Sequence, residues 1–419
     1  MPQKTIEKEQ AKNSVKKSLP SAIHQTHLKA DSTANHYGFV PFAGLEVEKQ
    51  DIAKSKTFKD PKIKEMSGSK QDLLNFDGFL EEKIAIVRTY LDKKMADLSQ
   101  PPMISYSGPL PGNPHVKKNS REHIFNLDII GNHKSIADAI IIETSFVILK
   151  EHYEDMELSI EINCIGDKDS LARFTREFIA YYKKHLNEMP APCRAIFKKN
   201  PFDVLGCTHD ECLALQDEAP KAMSYLTEPS RIHFKELLEY IESLSLPYII
   251  NHALVGSQNY CSGVIFRIVG ISKKEKTCKP IVLGLGERYN TVARKAWGKK
   301  EIPAIGAALA VKDDSGAKIA KKKVEAPRFY FIQLGYDAKL KSLAIIEMLR
   351  QAKIPVVQAL SRDKITTQLA AAEKLNVPYI LILGQKEAIE ESVTVRTMSN
   401  RSQETVPISE LVAYLKKLA

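Results

Sequence analysis

Between Leu254 and Val311 an apolar, β-branched pattern is broken by Gly-containing turns, and few folds accommodate such a run. It reads Leu254-Val-Gly-Ser-Gln-Asn-Tyr260-Cys-Ser-Gly-Val-Ile-Phe266, then Ile281-Val-Leu-Gly284-Leu-Gly286-Glu-Arg288-Tyr289-Asn290, then Pro303-Ala-Ile-Gly306-Ala-Ala-Leu-Ala-Val311. Val264 to Val269 and Ile281 to Leu285 have strand length and are bounded by Gly, Ser, Lys and Pro. That pattern predicts two neighbouring strands, with a small-residue helix following. At Gly284, Gly286 and Gly306 no Cβ shields the backbone, so either a ligand or a packed side chain can approach closely.

Composition narrows the setting. A chain of 419 residues with 43% hydrophobic content has room for two or three domains with sizeable cores. A formal charge of +10 favours polyanionic partners such as RNA. Six cysteines, Cys164, Cys193, Cys207, Cys212, Cys261 and Cys278, are too scattered to make a disulfide framework in a chain this long, which points to a reducing cytoplasm. No run of about 18 apolar residues and no signal-peptide core is present, so neither a membrane span nor secretion is expected. Residues 1–33 are rich in Lys, Gln and Ser; six lysines against Glu7, Glu9 and Asp31 give +3, the pattern of a disordered basic tail.

Ile84, Val87, Leu91, Met95 and Leu98 recur at helical spacing, which predicts an amphipathic helix from Glu81 to Leu98, stopped by Pro101 and Pro102. Ile104 to Pro109 and His123 to Gly131 read as strands, and Leu158, Ile160 and Ile162 alternate as another. Asp167 or Asp169 then caps a helix carrying Leu171, Phe174, Phe178, Tyr181 and His185. Cys207-Thr-His209-Asp-Glu-Cys212 offers soft metal ligands. A tetrahedral site wants a fourth, and only Cys193 is near in sequence, so no metal is expected.

Residues 312–327, with Asp-Asp-Ser-Gly and Lys321-Lys-Lys323, have a linker's polarity. Beyond them, Phe329 to Leu334, Val356 to Leu360, Tyr379 to Leu383 and Val393 to Thr397 read as strands. Leu340 to Ala352, Thr366 to Asn376 and Ser409 to Leu418 read as helices. That alternation predicts a small α/β domain over residues 328–419.

The three pieces of the opening stretch resemble, in order and spacing, the two histidine-binding signatures and the third class II signature of histidyl-tRNA synthetases. Tyr37 to Glu48 resembles the first signature, which shapes the dimer interface in class II enzymes, and thereby implies a homodimer. The strands around Tyr106 and Asp128 resemble the second. Ile165-Gly-Asp-Lys-Asp-Ser170, Cys193 to Pro201, Ala219 to Leu226 and His233-Phe234 are similar to the family's helical insertion, placed at about residues 167–247 of a core spanning 34–311. Gln368 to Gly384, Val393 to Arg396 and Gln403 to Pro407 resemble the anticodon-binding domain. The fold class implied is α/β (α+β): a class II antiparallel sheet with a helical insertion, followed by a small C-terminal α/β domain.

The same resemblance implies a residual histidine pocket made by Glu81, Asp128, Arg288 and Tyr289, and an RNA surface carrying Arg362, Lys364 and Gln368. It also shows departures. The Arg that meets the substrate carboxylate falls on Gly256, a pocket Tyr on Cys261, the ammonium-binding Thr on Lys83, and the ATP-facing Arg residues on Gly112 and Asp313. Lys117, Lys118 and Arg121 lie near the missing phosphate clamp, but a flexible ammonium does not reproduce a guanidinium fork. No catalytic residue and no cofactor are therefore expected. The function implied is a non-aminoacylating, cytoplasmic pseudoenzyme that binds tRNA or another structured RNA, or acts as a regulator through a protein partner, with DNA and membranes excluded as partners. The alternative is an active histidine-tRNA ligase with a divergent site, using ATP and Mg²⁺. A third class, the synthetase-like regulatory subunit of a phosphoribosyltransferase, lacks the anticodon-binding domain implied here.

Overall fold

The computed structural model describes residues 28–58, 80–98, 100–108, 123–256, 260–274, 279–312, 328–358 and 364–418. An eight-stranded sheet organises the larger lobe. Its strands are β1 (Val40–Pro41), β2 (Met103–Gly108), β3 (His123–Ile130), β4 (Met156–Gly166), β5 (Tyr248–Ile250), β6 (Ser262–Ser272), β7 (Ile281–Arg288) and β8 (Ala304–Val311). They lie in the order β1-β2-β3-β8-β7-β6-β4-β5. Every pairing is antiparallel except the outer pairs β1/β2 and β4/β5.

Alternation fixes the two faces of this sheet. Phe125, Leu127 and Ile129 of β3 and Ile305, Ala307 and Leu309 of β8 turn to one side and join the main apolar cluster. Across that side runs the helix Ser135–His152, buried at 16 of its 18 positions, with Asp138 and Glu143 among the buried residues. The opposite side presents Asn126 and Asp128, both fully buried.

Three expectations change here. The small-residue stretch after the second strand is β8, not a helix. Its alanines are good helix formers, but hydrogen bonding to β3 on one side and β7 on the other outweighs propensities of a few tenths of a kcal/mol per residue. The expected helix Glu81–Leu98 ends early: it spans Leu80–Asp92, and Lys94 turns left-handed (φ 50°) before a short 3₁₀ turn at Met95–Asp97. It is not amphipathic in the ordinary sense, because Glu81, Glu82, Lys83 and Arg88 are buried with its apolar side. The helix Leu28–His36 begins inside the stretch read as a tail and is anchored by the buried Ala30 and Ala34, which join the same cluster as the long helix.

The insertion is helical. Gly166 (φ 71°) turns the chain out of β4, and Asp167 then caps the helix Lys168–Lys184 by accepting from the Ser170 amide. Ala191–Lys199, Asp210–Glu218 and Glu228–Ser243 follow. Its separate core holds Phe174, Phe178, Tyr182, Phe197 and Phe202, with Phe178 and Phe202 stacked at 4.8 Å.

The C-terminal lobe contains β9 (Phe329–Gln333), β10 (Val356–Gln358), β11 (Tyr379–Leu383), β12 (Ser392–Thr397) and β13 (Gln403–Pro407), ordered β10-β9-β11-β12-β13. The first three are parallel, joined through the helices Tyr336–Gln351 and Ile365–Lys374; the last two are antiparallel. The strand Gln403–Pro407 and the short helix Gln385–Ile389 carry too weak a periodicity to be read from sequence. The lobes share one apolar cluster and a polar seam. In that seam Arg350 pairs with Glu347 and Glu151, both at 2.7 Å, and the Tyr37 hydroxyl donates to Glu347. Past Lys312, the expected linker lies outside the described residues.

Candidate functional site

The side of the sheet opposite the long helix carries the pocket residues. Asp128 projects from β3, Tyr289 follows β7, and Lys83 lies in the first turn of the helix Leu80–Asp92. Lys83 Nζ sits 3.0 Å from Asp128 Oδ1, with the two side chains 6% and 0% exposed. The Tyr289 hydroxyl donates to the same Oδ1 at 2.7 Å, and its ring lies 4.9 Å beneath the Lys83 ammonium. Tyr106 on β2 is buried nearby, and burial, then the charge of Asp128, raises its phenol. Burial raises the Asp128 carboxyl above its ordinary range, opposed by Lys83 and Tyr289; burial raises the Tyr289 phenol as well.

Gly306 makes the arrangement fit. A Cβ there would overlap both the Asp128 carboxylate and the Lys83 ammonium. The open backbone is filled by the chain's own ion pair. Gly284 and Gly286 face the other way, against Leu149 and Leu309 and against Phe266, and are packing positions.

The remaining pocket candidates do not join this group. Glu81 is 3% exposed and accepts from Ser55 Oγ at 2.8 Å. Arg288, one residue before Tyr289, emerges on the opposite face and forks onto Asp138 of the long helix at 2.7 and 2.5 Å, also donating to the carbonyls of Asn132 and Lys134. His233 completes that group at 2.9 Å from Asp138. Burial alone would raise the Asp138 carboxyl, but Arg288 and His233 hold it below its ordinary value. Asp138, His233 and Tyr106 escaped sequence reasoning because no spacing links them to their partners.

Gly256 has a left-handed backbone (φ 59°), and a Cβ there would lie 2.9 Å from Ile265, 3.1 Å from Cys261 and 3.2 Å from Glu287. An arginine does not fit at this position without rearrangement. Gly112, Lys117, Lys118, Arg121 and Asp313 lie outside the described residues.

At the candidate RNA face Arg362 is likewise outside them. Lys364 is exposed where the helix Ile365–Lys374 begins. Gln368 is a correction: it is fully buried, its Oε1 accepting from the Gln333 amide at 3.2 Å and its Nε2 donating to the Gln333 carbonyl at 2.8 Å. Both ends of its amide hold the sheet, leaving nothing for a nucleotide.

A groove of about 350 Å³, lined by Phe202, Asp203, Gly206, Asn251, Leu254 and Arg267, opens between the insertion and the sheet. It shares no residue with the Asp128 group. Nearby, the insertion brings together Cys193, Cys207 and Cys212, the thiols weighed from sequence as soft ligands and expected to hold no metal. Among the described residues no helix is long and apolar enough to cross a membrane.

The antiparallel sheet, helical insertion and appended five-stranded lobe are the architecture of a class II aminoacyl-tRNA synthetase, and residues 330–418 match the family described as the anticodon binding domain. The chain is 28% identical over 348 residues to a histidine-tRNA ligase of Halothermothrix orenii, covering 81% of each. It is also 28% identical over 342 residues to one of a Geobacillus species, covering 79% of each. A crystal structure of apo histidyl-tRNA synthetase from S. aureus aligns with 93% of this chain and 94% of its own at 19% identity, with a TM-score of 0.49. Over about four-fifths of its length the chain is thus similar to histidine-tRNA ligases, and its C-terminal lobe matches the anticodon binding domain.

Proposed function

We propose that this chain is a non-aminoacylating member of the histidyl-tRNA synthetase family that binds tRNA, or an RNA of similar shape, through its C-terminal lobe. The observation that carries this reading is the Lys83–Asp128 ion pair inside the pocket. By family resemblance Asp128 stands where a carboxylate reads the substrate imidazole, and Lys83 where a Thr hydroxyl receives the substrate ammonium. Here the carboxylate is already neutralised by a cation of the same chain. A histidine ammonium about 4 Å from Lys83 would be repelled by about 4 kcal/mol at an effective dielectric of 20. That is close to a thousandfold in affinity.

Gly256 supports the same conclusion, since it supplies no guanidinium for the substrate carboxylate. On the ATP side the sequence has Gly112 and Asp313 where the family has Arg. Removing one preorganised donor costs about 3–4 kcal/mol of barrier, so loss of two leaves little adenylation. No cofactor is needed on this reading. A homodimer, implied by the first signature, belongs to the same proposal and is tested by sedimentation.

The second reading is an active histidine-tRNA ligase using ATP and Mg²⁺. It is favoured by the retained Asp128–Tyr289 hydrogen bond at 2.7 Å and by similarity to ligases over four-fifths of the chain. Histidine-dependent pyrophosphate exchange, measured beside tRNA retention in one purified sample, separates the readings. The proposal expects retained tRNA and no exchange above the no-histidine control. Exchange overturns it in favour of the ligase, and loss of both activities overturns the RNA-binding half.

A further inference from the structure

The helical insertion carries a cluster that neither reading uses. Cys193 lies on the helix Ala191–Lys199, Cys207 ends the 3₁₀ turn Pro201–Gly206, His209 caps the helix Asp210–Glu218, and Cys212 sits in that helix's first turn. The three sulfurs lie within 4.8 Å of one another. Cys193 Sγ is 3.2 Å from Cys207 Sγ, and His209 Nδ1 is 3.1 Å from Cys207 Sγ and 3.5 Å from Cys193 Sγ. Cys193 and Cys212 are fully buried, whereas His209 is exposed and closes the cluster from the solvent side.

We propose that Cys193, Cys207, His209 and Cys212 form a structural zinc site. Zinc–sulfur bonds of about 2.3 Å and zinc–nitrogen bonds of about 2.0–2.1 Å at tetrahedral angles give S···S edges near 3.8 Å and S···N edges near 3.6 Å. The S···S separations, from 3.2 Å up to at most 4.8 Å, span the sulfur edge, whereas His209 stands near Cys193 and Cys207 but outside that three-sulfur group, so its exposed side chain must swing towards Cys212 to complete the fourth position. Three thiolates and one neutral imidazole fill all four positions, the closed set of a structural rather than a catalytic ion. The complex carries one net negative charge, which the positive end of the helix Asp210–Glu218 stabilises. Each thiol that binds releases its proton to solvent, with no redox change.

The site also has a structural task. The helices Ala191–Lys199 and Asp210–Glu218 have nine residues each, too few for a helix to be stable alone. An ion held by both, and by the turn between them, fixes the insertion as a unit. Stability drawn from metal binding in this way is folding free energy.

The test uses the full-length chain, reduced and purified without added metal. Elemental analysis is expected to find one zinc per chain, and replacement by Co²⁺ to give the intense visible bands and thiolate charge transfer of a tetrahedral site. Cys207→Ser and Cys212→Ser are expected to abolish those bands, while Cys164→Ala, altered on β4 away from the cluster, keeps them. His209→Ala is expected to shift the bands and weaken metal binding tenfold or more. Should the cysteine variants fail to fold, the wild-type cobalt spectrum and the release of one zinc on mercurial titration of the thiols decide alone. Folded wild-type protein with far less than one zinc and only the pale spectrum of octahedral Co²⁺ overturns the proposal. A Cys193–Cys207 disulfide in the freshly purified chain overturns it too, and an unchanged His209→Ala spectrum overturns the assignment of the fourth ligand.

Discussion

Replacing Lys83 by Met tests whether the pocket is held shut by its own charges. The substitution keeps most of the side-chain volume but removes the ammonium 3.0 Å from a fully buried carboxylate. Stripping one partner from a buried pair costs about 3–5 kcal/mol, because the remaining charge is left without compensation. Asp128 keeps the Tyr289 hydroxyl at 2.7 Å, so the lower end, about 3 kcal/mol, is expected. Asp128→Asn should cost a similar amount by orphaning Lys83. The double variant Lys83→Met/Asp128→Asn carries neither charge and still offers Tyr289 an acceptor. It should lie within about 1–2 kcal/mol of wild type, far from the sum of the singles. Urea unfolding of the full chain followed by far-UV circular dichroism reads all three differences.

The pH dependence adds a sign. Burial raises the folded-state Asp128 carboxyl above its unfolded value, and removing Lys83 raises it further. A carboxyl shifted upward binds protons more tightly when folded, so stability falls as pH rises through the folded value. The Lys83→Met deficit should therefore be greatest above the folded value and shrink as pH falls towards the unfolded value near 4. A deficit below about 1 kcal/mol, or one independent of pH, would refute the reasoning by putting Lys83 in contact with water.

Further consequences concern single positions. Gly306→Ala would drive a methyl into the ion pair and should destabilise the chain by at least the about 1–3 kcal/mol of an overpacked core, measured by the same unfolding assay. Gln368→Ala should cost about 1–3 kcal/mol through the unsatisfied Gln333 backbone while leaving RNA affinity unchanged; Lys364→Glu should do the reverse, weakening retention and lowering its salt slope by about 1. The Asp138 carboxyl is held low by Arg288 and His233, so its contribution is present above the unfolded value near 4 and is lost as pH falls through the folded one; Asp138→Asn should flatten acid unfolding in that window.

Much of the fold was legible because β-branched runs and helical periodicity report on one face of an element. The strands β6, β7 and β9 and the capped helix after Asp167 fall where the sequence puts them. The alanine-rich β8 was not legible, since a strand held between two neighbours needs no propensity of its own. The helix Leu80–Asp92 shows the same limit on its polar side. Glu81 and Arg88 look like a solvated face until Ser55 and Asp51, 26 and 37 residues away, supply their partners. Asp128 and Tyr289 could be placed by family resemblance, but that Lys83 closes their pocket depends on a contact across 45 residues. Cys207, His209 and Cys212 were visible as soft ligands, but that Cys193 comes within 3.2 Å of Cys207 depends on the insertion folding back on itself.

Calorimetric titration of histidine into the full-length protein examines the central claim with the fewest intermediates, since it asks only whether the pocket admits the amino acid. Wild-type protein should give no saturable heat, with or without ATP and Mg²⁺. A stoichiometric histidine isotherm on wild-type protein would contradict the account, because Asp128 would then be free to receive a substrate that Lys83 is inferred to exclude.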